Sequence, residues 1–299
     1  MNKQKLLLLS LSFQILSCSV LHKNSVSLYK AKWIHGSANC KENKDSSIQV
    51  VKYNHNSWIL RESKCVTYEA PFLFLFIGKK KALLMDTGAS GDEAVVTLYQ
   101  TVRGIINNWE NATKTHIELI VAHTHSHGDH TAGDKQFNNK PKTTVVGLEI
   151  DDIKAFFKLE NWPLQSSLLD LGDRVMEIIP IPGHHKASIA VYDNETKILL
   201  SGDSFYPGRL YIKDWQAFKL STQRLVDFTQ RHKVSCILGN HIEMTKTSGK
   251  DYPVFNNFQP NETPLPLTVK ELEELNMSLQ KMGDKPAKEV HNKFIIFPL

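Results

Sequence analysis

The residues best suited to chemistry lie in one stretch of eight, positions 123–130. It contains four histidines and one aspartate: His123, His125, His127, Asp129 and His130. Imidazole and carboxylate are ligands that zinc accepts in proteins. Because His125 and His127 are two residues apart, they share one face of an extended segment and can bind one ion. A glycine follows them, so the chain can turn and direct Asp129 and His130 at a second point. The stretch predicts a metal site, with a solvated histidine-rich loop as the alternative.

Further candidate site residues follow other apolar runs of the chain. They are Asp86, His184, Asp203 and His241. Loops mounted on rigid strands commonly carry chemistry, and each of these residues lies at or just after a strand-like run. Two more histidines adjoin the candidates. We expect His123 to pack or to support the site, and His185 to lie at its rim.

The elements that must position these residues are short strands alternating with amphipathic helices. Apolar runs predict strands at 58–60, 72–77, 82–85, 117–122, 143–146, 175–179, 188–192, 198–200, 234–238 and 294–297. Helices are predicted from Asp92 towards Ile106 and at 149–159, 215–231 and 269–281. Residues 23–56 are polar and weakly patterned, which predicts a tether and an irregular lead-in. Since no linker divides residues 23–299, we expect them to form one α+β domain.

The first 22 residues have the pattern of a secretory signal. Lys3 and Lys5 precede an apolar run at 6–16, and small residues follow around Cys18. The run is shorter than the roughly 20 residues that a membrane-spanning helix needs. The residues before Cys18 also resemble a bacterial lipobox. We therefore expect an exported bacterial protein, periplasmic or at the cell surface, whose membrane contact is limited to a lipid anchor on Cys18.

Composition argues against a nucleic-acid partner. The chain of 299 residues has a net charge of +5, and its 41% hydrophobic and 22% charged residues are typical of a globular protein. The basic residues are scattered, so a small-molecule substrate is the expected partner. Cys40 and Cys65 could pair in an oxidising compartment, and Cys236 lies in an apolar run that predicts a buried thiol.

Five segments, in this order, resemble the motifs of the metallo-β-lactamase superfamily. The central one is the HxHxDH pattern at 125–130, and the others lie at 84–88, 182–184, 201–203 and 238–241. The resemblance covers nearly all of the chain after the signal. It implies an αββα sandwich, in which two mixed β-sheets pack face to face and helices flank them.

The resemblance also implies a ligand set. One zinc would be held by three imidazoles with an open fourth position, those of His125, His127 and His184. A second zinc would be held by Asp129, His130 and His241. Iron and manganese are the alternative metals.

The resemblance assigns roles to three aspartates. Asp203 is implied to bridge the two ions, although in one subclass of metallo-β-lactamases the matching aspartate does not bridge. Asp86 is implied to support the metal-bearing loop from behind. Asp129 is implied to take part in catalysis as well as in metal binding.

The function that follows is a dinuclear zinc hydrolase using a metal-bound hydroxide on a small ester, thioester, lactone or lactam. A β-lactamase and a phosphodiesterase are alternatives on the same site, and a non-catalytic surface lipoprotein acting as a binding module is the alternative from another class. Three residues that follow Asp203 are candidates for lining the substrate pocket: Tyr206, Arg209 and Tyr211. Tyr206 could donate to an oxyanion or pack beneath the loop, and Arg209 could hold a substrate carboxylate.

Overall fold

The computed structural model describes residues 26–299, so the signal-like segment with Cys18 lies outside the described residues. A six-stranded sheet follows the order of the chain. Its strands are β1 (Ile48–Lys52), β2 (Ser57–Glu62), β3 (Phe72–Ile77), β4 (Lys81–Met85), β5 (Glu118–Ala122) and β6 (Thr143–Val145). The first four pair antiparallel and the last three parallel. Because β4 and β5 are parallel, Asp86 and residues 123–130 emerge at the same edge of the sheet.

The second sheet has five strands and also combines antiparallel with parallel pairing. Its strands are β7 (Ser167–Asp170), β8 (Val175–Pro180), β9 (Ile189–Asp193), β10 (Ile198–Gly202) and β12 (Cys236–Gly239). Only β10 and β12 are parallel neighbours. Their carboxyl ends therefore place Asp203 and His241 side by side.

A third, three-stranded sheet and five helices complete the described part. The remaining strands are β11 (Arg209–Ile212), β13 (Glu289–Val290) and β14 (Ile295–Pro298). The helices are α1 (Leu98–Thr113), α2 (Gly128–Thr131), α3 (Ile150–Phe157), α4 (Trp215–Arg231) and α5 (Val269–Met282). In residues 26–299, every helix is too short or too polar to cross a bilayer.

Side-chain alternation in the strands produces the layers. In β3 the phenylalanines, such as Phe74, face the other sheet, and the leucines between them, such as Leu75, face α1. Because this strand is covered on both sides, the side chains on both of its faces are apolar. Likewise β9 directs Val191 between the sheets and Ala190 towards the cluster formed with α4 and α5. Two sheets face to face with helices outside confirm the αββα sandwich.

Several element predictions were wrong in detail. Residues 23–56, predicted as irregular, contain the edge strand β1, whose pairing with β2 stabilises a weakly apolar segment. The helix predicted from Asp92 begins at Leu98, because the Asp92 carboxylate accepts a hydrogen bond from the Ala94 backbone and forms a separate turn. The short strands β7, β11 and β13 were missed. β7 forms a hairpin with β8, whereas β11 pairs with β14, which lies far away in the sequence.

A disulfide joins Cys40 to Cys65, which are 25 residues apart in sequence. It fastens the N-terminal lead-in to the connection between β2 and β3. In the described part of the chain, Cys236 is a free and buried thiol, as its apolar run predicted.

Replacing Cys40 and Cys65 together with serine should lower the free energy of unfolding by about 3 kcal/mol, because the open loop raises the entropy of the unfolded chain. Urea unfolding measures this difference. Reductant should destabilise the unaltered protein by a similar amount and leave the double variant unchanged. Equal stability of both proteins under oxidising conditions would show that the bridge contributes little.

Candidate metal centre

The predicted ligand residues follow the carboxyl ends of β5, β8, β10 and β12 and converge at one edge of the two sheets. They form two adjacent groups whose donor atoms lie within 4.8 Å of one another in each group. The first group consists of His125, His127 and His184, and the second of Asp129, His130, Asp203 and His241. The fold thus brings together every residue that was expected to contact a metal.

The first group presents three imidazole nitrogens to one point. The Nδ1 atom of His127 lies 2.9 Å from Nε2 of His125 and 3.1 Å from Nε2 of His184. The Nδ1 atom of His184 donates to the Tyr211 carbonyl oxygen at 2.8 Å, which leaves its Nε2 lone pair directed at the group. Tetrahedral zinc places its nitrogen ligands about 3.3 Å apart. The donor set therefore fits a divalent cation.

The second group combines two carboxylates with two imidazoles. Asp129 Oδ2 lies 3.3 Å from the Nε2 atoms of both His130 and His241. The Nδ1 atom of His241 donates to the Glu69 carbonyl oxygen at 3.0 Å, so Nε2 is free to act as a ligand. Such a contact behind the ring orients a metal-binding histidine.

The Asp203 carboxylate lies between the two groups. Its Oδ2 atom is 3.5 Å from Nε2 of His130 and about 4 Å from Nε2 of His184. Its Oδ1 atom is buried and lies 3.4 Å from Nε2 of His241, but it accepts no hydrogen bond from the described residues. A buried oxygen without a partner is costly unless a ligand satisfies it, and a cation shared by the groups would do so.

The two groups differ in charge. Burial, together with the neighbouring imidazoles, lowers the pKa of His125 well below its ordinary value. Burial also acts to lower the pKa values of His130 and His241, but the carboxylates of Asp203 and Asp129 raise both well above the ordinary range. The first group is therefore neutral, and the second pairs carboxylates with imidazolium ions whose charge a divalent cation can replace.

A buried carboxylate, that of Asp86, supports both groups from behind. Its oxygens accept from the backbone nitrogen of Thr124 at 2.7 Å and from the side-chain amide of Asn240 at 2.6 Å. It also lies 3.3 Å from Nδ1 of His130. Thr124 directly precedes His125 and Asn240 directly precedes His241, so one side chain positions both of these ligand-bearing segments. The predictions did not assign these two donors a role, although their places beside candidate ligands were a signal.

The neighbouring histidines lie outside both groups. His123 is buried and contacts Asp134 at 2.8 Å, an aspartate that the sequence did not single out. His185 is half-buried beside His127 and accepts a hydrogen bond from the Ala187 backbone. Burial lowers the pKa of His185 to about 4, so it is a neutral neighbour.

A cleft of about 60 Å³ opens beside His241. Arg209 and Tyr211 line it, as expected for substrate-lining residues. The guanidinium of Arg209, however, donates to Glu243 at 2.7 Å and to Asp251 at 2.6 Å, so its charge is already paired. This differs from the expectation that Arg209 holds a substrate carboxylate.

Tyr206 lies beneath the cleft wall. It is buried, and its hydroxyl donates to the Arg209 carbonyl oxygen at 2.5 Å. Because the Tyr206 hydroxyl already donates its proton within the fold, it is not placed to donate to an oxyanion. Its position agrees with the alternative that Tyr206 packs beneath the loop. Other cleft residues, including Tyr68 and Phe255, were not predicted, since they come close to His241 only in the folded chain.

A sandwich with imidazole and carboxylate groups at its strand ends is the architecture of a class of metal-dependent hydrolases. A sequence model of the metallo-β-lactamase superfamily matches residues 70–236. The chain belongs to the metallo-β-lactamase superfamily and is a metal-dependent hydrolase.

Two kinds of relative are similar to parts of the chain. The acyl-coenzyme A thioesterase MBLAC2 of Bos taurus is 34% identical over 206 residues, which cover 56% of this chain and 72% of that protein. The same protein of Gallus gallus is 35% identical over 86 residues, 27% of this chain and 30% of its own length. A hydroxyacylglutathione hydrolase of Nostoc punctiforme is 31% identical over 95 residues, 30% of this chain and 37% of the relative.

The chain is also similar to solved structures. A metallo-β-lactamase from Pontibacter korlensis has a TM-score of 0.48 and 19% sequence identity, with 78% of this chain and 99% of that chain covered.

Changing Asp86 to asparagine should weaken zinc binding roughly 10- to 100-fold, because the buried acceptor for Thr124, Asn240 and His130 is lost while the side chain keeps its shape. Competition with a chromophoric chelator measures the affinity. Glu160→Gln, an exposed change of the same kind, should bind zinc as the unaltered protein does. Full affinity in a folded Asp86→Asn variant would contradict the supporting role.

Proposed function

We propose that the protein is a dinuclear zinc hydrolase that cleaves small acyl thioesters. The observation that carries this proposal is the pair of adjacent donor groups with the Asp203 carboxylate between them. Three imidazoles would hold one zinc and leave a position open, and the second group would hold the other ion. Asp203 would bridge them.

The thioester is favoured among the ester, thioester, lactone and lactam substrates that the site could serve. The similar proteins are named as acting on acyl groups carried by coenzyme A and by glutathione, both of which are thiols. Since the fold alone does not determine a substrate, the choice of a thioester depends on these similarities.

In the reaction, a water oxygen adds to the acyl carbonyl carbon, the carbon–sulfur bond breaks, and a carboxylic acid and a thiol leave. When bound, the two ions lower the pKa of a water and polarise the carbonyl oxygen. The chain contributes the geometry. Asp129, whose side chain is 22% exposed and lies 3.3 Å from Nε2 of His241, could also accept a proton from the attacking water.

The residues behind the centre keep its donors aligned. The Tyr211 carbonyl fixes the His184 ring and the Glu69 carbonyl fixes the His241 ring. Alignment of this kind before substrate arrives is a large part of catalysis in such sites. A binding module without activity would not need every donor position, and here all of them are filled, which weighs against that alternative.

Purified protein loaded with zinc should contain two ions per chain and release thiol from an acyl thioester, and chelator should abolish the release. His125→Ala should lower kcat/KM by on the order of a hundredfold or more, because one ligand of a three-imidazole set is lost. Metal analysis and a colorimetric thiol assay measure both quantities.

The control variant is His232→Ala, whose side chain lies at the end of α4 against Phe228. It should keep full activity. A panel containing lactam, lactone and phosphodiester substrates completes the test. Cleavage of a lactam with thioesters left intact would overturn the thioester assignment, and a protein that binds no zinc would overturn the metal centre.

We also propose that the chain acts outside the cytoplasm, as the signal-like first 22 residues indicate. The Cys40–Cys65 disulfide supports this location, because disulfides persist in oxidising compartments. Mass spectrometry of the mature N-terminus should find an acylated Cys18 if the lipid anchor is present. A non-acylated terminus near residue 22 would agree with export but exclude the lipid anchor. An intact Met1 would contradict export.

A further inference from the structure

The loop that follows His241 carries an exposed apolar tip at the mouth of the cleft. Val254 is 49% and Phe255 71% exposed, and both line the cleft that reaches His241. A contiguous apolar patch at the rim of a cleft is typical of a ligand-binding surface. The base of the loop is held firmly, because the Tyr252 backbone donates to Glu243 and accepts from Arg209, each at 2.8 Å.

The backbone holds Phe255 in an unusual conformation. Its φ angle is +62°, a left-handed value that bulky side chains rarely adopt. Strained residues of this kind cluster at ligand-binding sites. The ring meets the edge of Tyr68 with 4.7 Å between centroids. Tyr68 adjoins Glu69, whose carbonyl orients His241, so the two aromatic rings join the segments on either side of that histidine.

Besides His241 of the candidate metal centre, the cleft contains two basic side chains, Arg209 and Lys64, and neither is free to attract a polar substrate. Arg209 is paired with Glu243 and Asp251. Lys64 is buried and donates to the Tyr68 carbonyl oxygen at 2.9 Å. The mouth itself exposes the aromatic and aliphatic side chains of Phe255 and Val254 beside Tyr68, whereas polar side chains such as Asn256 and Gln259 line the cleft behind it. The cleft has a volume of only about 60 Å³, so a longer acyl chain would lie mainly along its exposed mouth.

We infer that the mouth formed by Tyr68, Val254 and Phe255 binds the acyl part of the substrate and selects linear apolar acyl groups over short or hydroxylated ones. This rests on the proposed thioester hydrolysis. The thiol parts, coenzyme A and glutathione, are polar and charged, so the apolar mouth suits the other side of the scissile bond. With the carbonyl carbon at the metal centre, the chain would run past His241 and over the Phe255 ring.

The test is a series of thioesters of one thiol carrying acetyl, butanoyl, octanoyl and 2-hydroxypropanoyl groups, hydrolysed by the zinc-loaded full chain. For the unaltered protein, kcat/KM should rise from acetyl to octanoyl by roughly fourfold for each methylene group that becomes buried. The 2-hydroxypropanoyl thioester should be a poor substrate, because its hydroxyl would lose water against the aromatic rings.

Phe255→Ala should lower kcat/KM for the octanoyl thioester about tenfold, through KM, and leave the acetyl thioester within about twofold. Phe255→Leu should restore most of the preference because it returns an apolar side chain. The matched control is Leu168→Ala, which removes an equally exposed apolar side chain, 70% exposed, from β7. It should change neither substrate.

A readout without turnover separates binding from chemistry. Calorimetric titration of the zinc-loaded protein should show tighter binding of octanoate than of butanoate, and Phe255→Ala should remove that difference. A chain-length profile that is flat, or that is the same in the unaltered protein and Phe255→Ala, would overturn the acyl subsite while thioester hydrolysis stands. Absence of thiol release from the whole series would instead overturn the proposed function.

Discussion

The structure depends on one buried carboxylate. Asp86 lies at the end of β4 with no solvent exposure, and it accepts hydrogen bonds from the residues just before His125 and His241. Charge-assisted hydrogen bonds of this kind are short and strong in a dry interior. A carboxylate buried without them would be severely destabilising, so the ends of β5 and β12 must meet Asp86. The same hydrogen bonds therefore fix the position of His125 relative to His241 in the candidate metal centre.

The sandwich explains why the donors can meet at all. Parallel pairing of β4 with β5 and of β10 with β12 directs four carboxyl ends to one edge of the two sheets. The core between the sheets keeps that edge rigid, since close-packed interiors deform little. The loops can then differ without disturbing the donors. This separation lets the loop after His241 present an apolar tip with Phe255 while the centre itself stays polar.

The candidate metal centre was largely predictable because its donors are concentrated in short motifs. Residues 125–130 contain four of the seven proposed ligands, and the other three follow apolar runs that are easily recognised. The cleft was less predictable. Tyr206 and Arg209 are close to Asp203 in sequence, but a hydroxyl and a guanidinium take whichever partners the fold offers, here Glu243, Asp251 and a backbone carbonyl. Tyr68 and Phe255 lie nearly two hundred positions apart and gave no local sign of their contact.

The sequence by itself determined which atoms could bind metal and which strands would carry them, because ligand chemistry and strand periodicity are local properties. It also determined the αββα class, through five motifs in a fixed order. Tertiary structure alone decided how the charges are paired, where the edge strand β1 and the third sheet form, and what surrounds the cleft. Those features depend on contacts between distant residues, and the free energy of such a contact is set by the burial and the partners that only the folded chain provides.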